Sequence, residues 1–227
     1  MIQFESITKK YANTQALSDI NLKIEDGEFV FIVGPSGAGK STLLRLITRE
    51  IAPSSGRILF REEDILRIPE AKLPMLRRKI GTVFQDFKLL LNRTVFENVA
   101  VPLEVLSKKQ KEIEKEVSGV LEKVGLLEKA NNFPAQLSGG EVQRTAIARA
   151  IVARPEVLLA DEPTGDLDPT TALDVVKIME KINQDDKTTV VMATHNAHIV
   201  NHLKKRVIVL AMGKIVKDEK EGKYETG

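Results

Sequence analysis

The stretch from Phe29 to Val33 is apolar at every position, and it runs directly into Gly34-Pro35-Ser36-Gly37-Ala38-Gly39-Lys40-Ser41-Thr42. This matches the pattern G-x-x-x-x-G-K-[ST] at every fixed position, and it restricts the local fold to a strand, a tight loop and a helix. Glycines let the backbone curl so that successive N–H groups point at phosphate oxygens. A helix from Thr42 onward brings its positive dipole end to the same place. Lys40 then supplies a mobile charge for β- and γ-phosphates. Ser41 offers a hydroxyl to Mg²⁺, a hard ion that takes oxygen ligands and shares its shell with a nucleotide.

The rest of the chain must supply a sheet in which that first strand is buried. Ile2 to Ile7 and Leu22 to Ile24 read as further strands. Val157 to Ala160, Thr189 to Ala193 and Val207 to Ala211 are apolar on both faces, as strands of a covered parallel sheet must be. The class expected is therefore α/β. Between Gln85 and Ser138 the pattern changes. Leu106, Ile113, Val117, Val120, Leu121 and Val124 recur at helical spacing among lysines and glutamates, which predicts a helical insertion. The charge-rich run from Lys108 to Lys115 fits a solvated helix face. Asp168-Pro169 ahead of Thr170 to Ile182 predicts a helix start with Asp as its cap and Pro at the first position.

Several functions are excluded by what the 227 residues contain. Lys and Arg number 34 and Asp and Glu 32, so the net charge of 34 − 32 = +2 carries no footprint of a nucleic-acid binder. With no cysteine, disulfide and thiolate chemistry are absent. No apolar run reaches the roughly 18 residues of a membrane span. The opening Met-Ile-Gln-Phe-Glu is neither basic nor apolar, so a cytoplasmic protein is expected.

A phosphate cradle for hydrolysis needs a carboxylate at a neighbouring strand end, and Val157-Leu158-Leu159-Ala160-Asp161-Glu162 provides two in succession. Asp161 is expected in the Mg²⁺ shell, and Glu162 is expected to orient or deprotonate the water that attacks the γ-phosphate. His195, His198 and His202 have a spacing that one helix could use for zinc, but they lack carboxylate or cysteine company. The strand Thr189 to Ala193 instead sets His195 at the sheet edge of Lys40 and Glu162.

A second Gly-rich helix start, Leu137-Ser138-Gly139-Gly140-Glu141, precedes Val142-Gln143-Arg144 and the helical Thr145 to Ala153. With it the chain resembles the ATP-binding-cassette (ABC) ATPases, in the expected order over essentially its whole length. The resemblance implies a P-loop NTPase fold with a RecA-like core, an N-terminal antiparallel β subdomain and a helical subdomain. It implies one domain over residues 1–227, with 1–86 and 138–227 forming the α/β core and 87–137 the helical part. It implies ATP and Mg²⁺ as cofactors, and a homodimer closed on ATP, in which Ser138, Gly139 and Gly140 reach the nucleotide of the other subunit. It also implies that Tyr11 stacks on adenine, that Gln85 senses Mg²⁺ and the partner, that His195 is the switch histidine, and that Gly165-Asp166-Leu167-Asp168 lies at the dimer seam. Asp166 departs from the uncharged residue usual there.

Within that superfamily, Leu76 to Phe87, Asn92 to Val99, Lys123 to Leu127, Asn132-Phe133-Pro134 and Leu159 to Gly165 are similar to the cell-division ATPases of the FtsE family. This implies a peripheral protein on the cytoplasmic face of the membrane, an integral membrane partner of the FtsX type, and control of peptidoglycan hydrolysis. Lipoprotein-release and macrolide-exporter ATPases share the last segment and are the alternative. DNA-associated ABC ATPases are remote, because only about 50 residues separate Gln85 from Ser138, too few for a long coiled-coil arm. Phe84, Phe87, Leu89, Leu90, Leu91, Val95 and Phe96 are richer in apolar surface than a loop needs, which predicts a groove for a partner's helix, with Leu90 in it.

Overall fold

The computed structural model describes residues 1–224. Two strands, β1 (Ile2–Tyr11) and β2 (Thr14–Ile24), lead into β3 (Phe29–Val33) and α1 (Lys40–Ile47). Then come β4 (Ser55–Phe60), β5 (Glu63–Asp64), α2 (Leu73–Arg78) and β6 (Ile80–Val83). A helical stretch follows, with α3 (Val95–Val105), α4 (Gln110–Lys123) and α5 (Gly139–Ile151). The chain closes with β7 (Val157–Asp161), α6 (Pro169–Asp186), β8 (Thr189–Thr194), α7 (Ala197–Leu203), β9 (Arg206–Ala211) and β10 (Lys214–Glu219).

These strands make two sheets. One is antiparallel in the order β2-β1-β4-β5; the other has the order β10-β9-β3-β8-β7-β6, parallel except for β10. Every residue of β3 and β8 is buried, as the continuous apolar runs require, because both faces of the parallel sheet are covered. On one face Ile32, Leu159 and Val191 pack with α1 and the antiparallel sheet, through Leu43, Ile47, Ile7 and Leu17. On the other, Phe31, Leu158 and Val190 meet Val175, Met179 and Ile199 of α6 and α7.

The helical part has a core of its own, in which Val95, Val99, Leu103, Ile113, Val117 and Leu121 pack against Ala148 and Val152 from α5 and its end. Apolar packing thus runs past residue 137 into the helix that follows. The helical spacing seen in the sequence spans a break: Leu106 caps α3, the chain turns with Ser107 at φ 54°, and only Ile113 to Val124 belong to α4 and its cap. At α6 the expected start is observed, with Asp168 Oδ1 accepting from the N–H groups of Thr170 and Thr171, both at 3.1 Å.

Candidate active site

The parallel register brings three strand ends together: Val33 pairs with Thr194 and Asp161 with Ala193. The loops leaving β3, β7 and β8 therefore face one cavity of about 900 Å³, lined by Pro35 through Thr42 together with Gln85, Glu162 and His195. At Gly34 a Cβ would fall 2.1 Å from the Leu210 carbonyl oxygen, so only glycine lets the loop leave β3 beside β9. Gly39, the residue before α1, has φ 107°, and a Cβ there would sit 2.7 Å from Ala16 O of β2. The antiparallel hairpin is thus pressed against the back of the loop, and the first N–H groups of α1 open into the cavity.

Lys40 is nearly buried; its Nζ donates to Gly34 O at 2.8 Å and Pro35 O at 3.3 Å, and lies 3.6 Å from Glu162 Oε1. Ser41 Oγ donates to Asp161 Oδ1 at 3.1 Å. Burial pushes the Asp161 carboxyl above its ordinary pKa, against the opposing effects of the Ser41 hydrogen bond and the Lys40 charge. A half-buried carboxylate and a hydroxyl side by side, both hard oxygen donors, fit a divalent cation such as Mg²⁺.

Glu162 leaves β7 in the left-handed region, φ 47°, its N–H bonded to Ala193 O at 2.9 Å. Backbone of this kind costs about 1–3 kcal/mol in a residue other than glycine. Here it turns the side chain away from Asp161 and towards β8. Its Oε1 lies 3.0 Å from His195 Nδ1, and its Oε2 accepts from the His195 N–H at 3.3 Å. The carboxylate therefore sits between an ammonium and an imidazole, at the cavity mouth, where it can receive a proton from water. His198 and His202 stand apart on α7, their rings 6.4 Å from each other.

Gln85 is exposed and lies over Gly165, where a Cβ would be 3.4 Å from its Nε2. Ser138, Gly139 and Gly140 are not in the cavity lining. Ser138 instead caps α5, accepting from Glu141 N–H at 3.4 Å while its own N–H donates to Glu141 Oε2 at 2.8 Å. The Ser138 N–H, with its hydroxyl 3.1 Å from the same oxygen, holds the Glu141 carboxyl below its usual pKa. Ser138 and Gly139 are exposed. Tyr11 closes β1 at 41% exposure with the Lys9 ammonium 4.9 Å over its ring, outside the cavity lining.

Three lining residues escape sequence reasoning: Ala16, Val209 and Tyr224. Tyr224 is fixed by a reciprocal pair of bonds, its N–H to Asn201 Oδ1 at 2.8 Å and Asn201 Nδ2 to its carbonyl at 2.9 Å. Nothing in the local sequence marks that pairing across 23 residues.

Known proteins with this arrangement are numerous. The ABC transporter family matches residues 17–165. The cell division ATP-binding protein FtsE of Bacillus subtilis is 54% identical over 225 residues, covering 99% of this chain and 98% of its own. The FtsE proteins of Mycobacterium tuberculosis and Escherichia coli are 50% and 47% identical, over 99% and 94% of this chain and 98% and 96% of theirs. Among solved structures, the dimeric ATP-binding cassette MJ0796 in a post-hydrolysis state with ADP and Pi superposes with a TM-score of 0.88 at 36% identity, over 99% of this chain and all of that one. The cbiO1 protein of Clostridium perfringens, part of the transporter complex cbiONQ, gives a TM-score of 0.91 at 32% identity, over 97% of this chain and 88% of its own. With the family matched over residues 17–165, relatives about half identical along nearly the full length and the fold in common, the chain belongs to the ABC transporter ATP-binding family, among the cell-division FtsE proteins, and is an ATPase.

Proposed function

We propose that two copies of this chain close head to tail on two ATP molecules, and that hydrolysis drives an integral membrane protein of the FtsX type, through which peptidoglycan hydrolysis is controlled. The chain would then sit at the cytoplasmic face of the membrane as a peripheral subunit. Among the described residues, no helix is long and apolar enough to cross a bilayer, so a membrane action passes through another protein. The exposure of Ser138 and Gly139, away from their own subunit's cavity, supports their use on the nucleotide of a second copy.

Ser41, Asp161 and Gln85 would hold Mg²⁺, which when bound neutralises charge on the β- and γ-phosphates. In this chain Lys40 turns from the Gly34 and Pro35 carbonyls to the phosphate. Glu162 takes the proton of the attacking water, and His195, held by Glu162, stabilises charge on the γ-phosphate. Tyr11 would stack on adenine from the hairpin.

The observation that carries the membrane role is a groove of about 600 Å³ between α2, β6, α3 and α5. Phe84, Pro102, Val105 and Leu106 make its apolar wall, and Arg77, Arg78, Lys88 and Arg149 its charged rim. Of the apolar run read from sequence, Phe84 alone lines it. Leu90 and Leu91 are exposed on the loop beyond, and Val95 is buried in the helical core. Val105, 67% exposed, is the better probe. Val105→Glu should release the protein from membranes in flotation while ATP affinity stays unchanged. A variant that still floats with its membrane partner would place the docking surface elsewhere.

A further inference from the structure

Arg149 stands on α5, eleven residues beyond Ser138 and so roughly 16 Å along the helix. Its guanidinium is half-buried and donates to two successive backbone carbonyls, Nη1 to Lys88 O at 2.6 Å and Nη2 to Phe87 O at 2.7 Å. Burial alone lowers its pKa, and no carboxylate among the described residues acts on it. A half-buried guanidinium whose hydrogen bonds go to two carbonyls and to no counter-charge gives up part of its hydration for one loop contact.

The loop end of the contact is equally unusual. Phe87 and Lys88 lie in succession in the left-handed region, with φ of 53° and 49°, and neither is glycine. They follow Gln85 by two and three residues. The far end of the same loop is held by Asn98 of α3, whose amide binds the Leu90 N–H and the carbonyls of Leu90, Arg93 and Thr94. The segment that begins at the end of β6 is therefore fastened to α3 and α5, not to the sheet from which it emerges.

We propose that Arg149 is a positioning residue, a latch that ties the glutamine loop to the signature helix, so that Gln85 and Ser138 move as one body. A pull on Gln85 from the nucleotide of its own subunit then displaces the N-terminus of α5. A push on Phe84 or Lys88 from the groove does the same. The planar fork matters more than the charge, because its two Nη groups, one on each carbonyl, are held in a fixed geometry that a single freely rotating ammonium on a flexible stem does not reproduce.

Arg149→Lys in the full chain separates these features, and Arg149→Gln serves if the lysine variant is unstable. Hydrogen exchange should rise about tenfold over residues 85–91 and stay unchanged over Lys40–Ile47. ATP affinity should be unaltered. The second arm rests on the head-to-tail dimer proposed above. In a Glu162→Gln background that slows turnover, the ATP concentration at the midpoint of dimerisation should rise about tenfold. Unchanged exchange over 85–91, or exchange raised throughout the chain, overturns the latch. Local loosening with an unmoved dimer midpoint overturns the coupling. If the Glu162→Gln parent forms no dimer with ATP, the head-to-tail reading fails by itself, and the exchange arm still decides whether Arg149 fastens the loop.

Discussion

Glu162→Gln is the substitution for which the site makes the sharpest demand. The amide keeps the volume of the carboxyl and can still accept from the His195 N–H, now 3.3 Å from Oε2. What disappears is the group proposed to accept the water's proton. A general base contributes about 10²–10⁴ in rate. That is roughly 3–5 kcal/mol of barrier. Binding should move the other way. Glu162 Oε1 lies 3.6 Å from Lys40 Nζ, so the carboxylate competes with phosphate for that ammonium. Two unit charges at about 4 Å interact by roughly 4 kcal/mol at an effective dielectric constant of 20. The cavity is open to water and Lys40 keeps two carbonyl partners, so the net gain for ATP is smaller, up to about tenfold in Kd or ~1.4 kcal/mol. Single-turnover phosphate release measures the first effect, and titration with a fluorescent ATP analogue the second. A rate reduced less than tenfold, or a weaker affinity for ATP, would refute the assignment of Glu162 as the base and competitor.

Two further substitutions test the supports of the site. Asp161→Asn should abolish Mg²⁺-dependent hydrolysis yet raise the melting temperature by a few degrees at neutral pH, since burial penalises the carboxylate. Because the folded-state pKa is raised, the folded protein takes up this proton more readily than the unfolded chain; the thermal advantage of Asn should therefore shrink as pH falls through that value, and an advantage growing on acidification would contradict the sign. Asn98→Ala removes four hydrogen bonds from a fully buried amide and should cost about 3 kcal/mol, measured by urea unfolding; a loss below 1 kcal/mol would mean that water replaces the amide.

Lys40, Ser41, Asp161 and Glu162 could be read from the chain because each sits at a fixed offset from an apolar strand, and the parallel register converts those offsets into proximity. The sequence also assigns Asp161 and Glu162 different work, and the backbone supplies the means: the left-handed turn at Glu162 sends neighbouring carboxylates to Ser41 and to His195. Strand β2 was read only at Leu22 to Ile24, yet it begins at Thr14, because in its first half Leu17 is the one buried residue among exposed and half-buried neighbours, which leaves a weak apolar pattern. The α3–α4 boundary was hidden for the opposite reason, since Leu106 happens to continue the period of α4 across a turn. Leu90 was misplaced because a run of leucines does not reveal where the loop carries it, and none of Leu89, Leu90 and Leu91 lines the groove. Arg149 acts on distant backbone, and Tyr224 is held through its own backbone by the distant Asn201 side chain, contacts that no local pattern encodes.

Among the described residues the parallel sheet stops at β6, which pairs with β7 alone. Its free flank carries hydrogen-bonding groups that any extended peptide could pair with, and it borders the same groove as Phe84. Four residues is a short template, and the cations at Arg77, Arg78, Lys79 and Lys88 bracket it with like charge. A second copy of the chain offering its own β6 would bring the same cations against these, so that strand-to-strand stacking of stray subunits is opposed by repulsion that fades in concentrated salt. When the subunit is produced alone, its solubility should therefore depend on ionic strength through this flank.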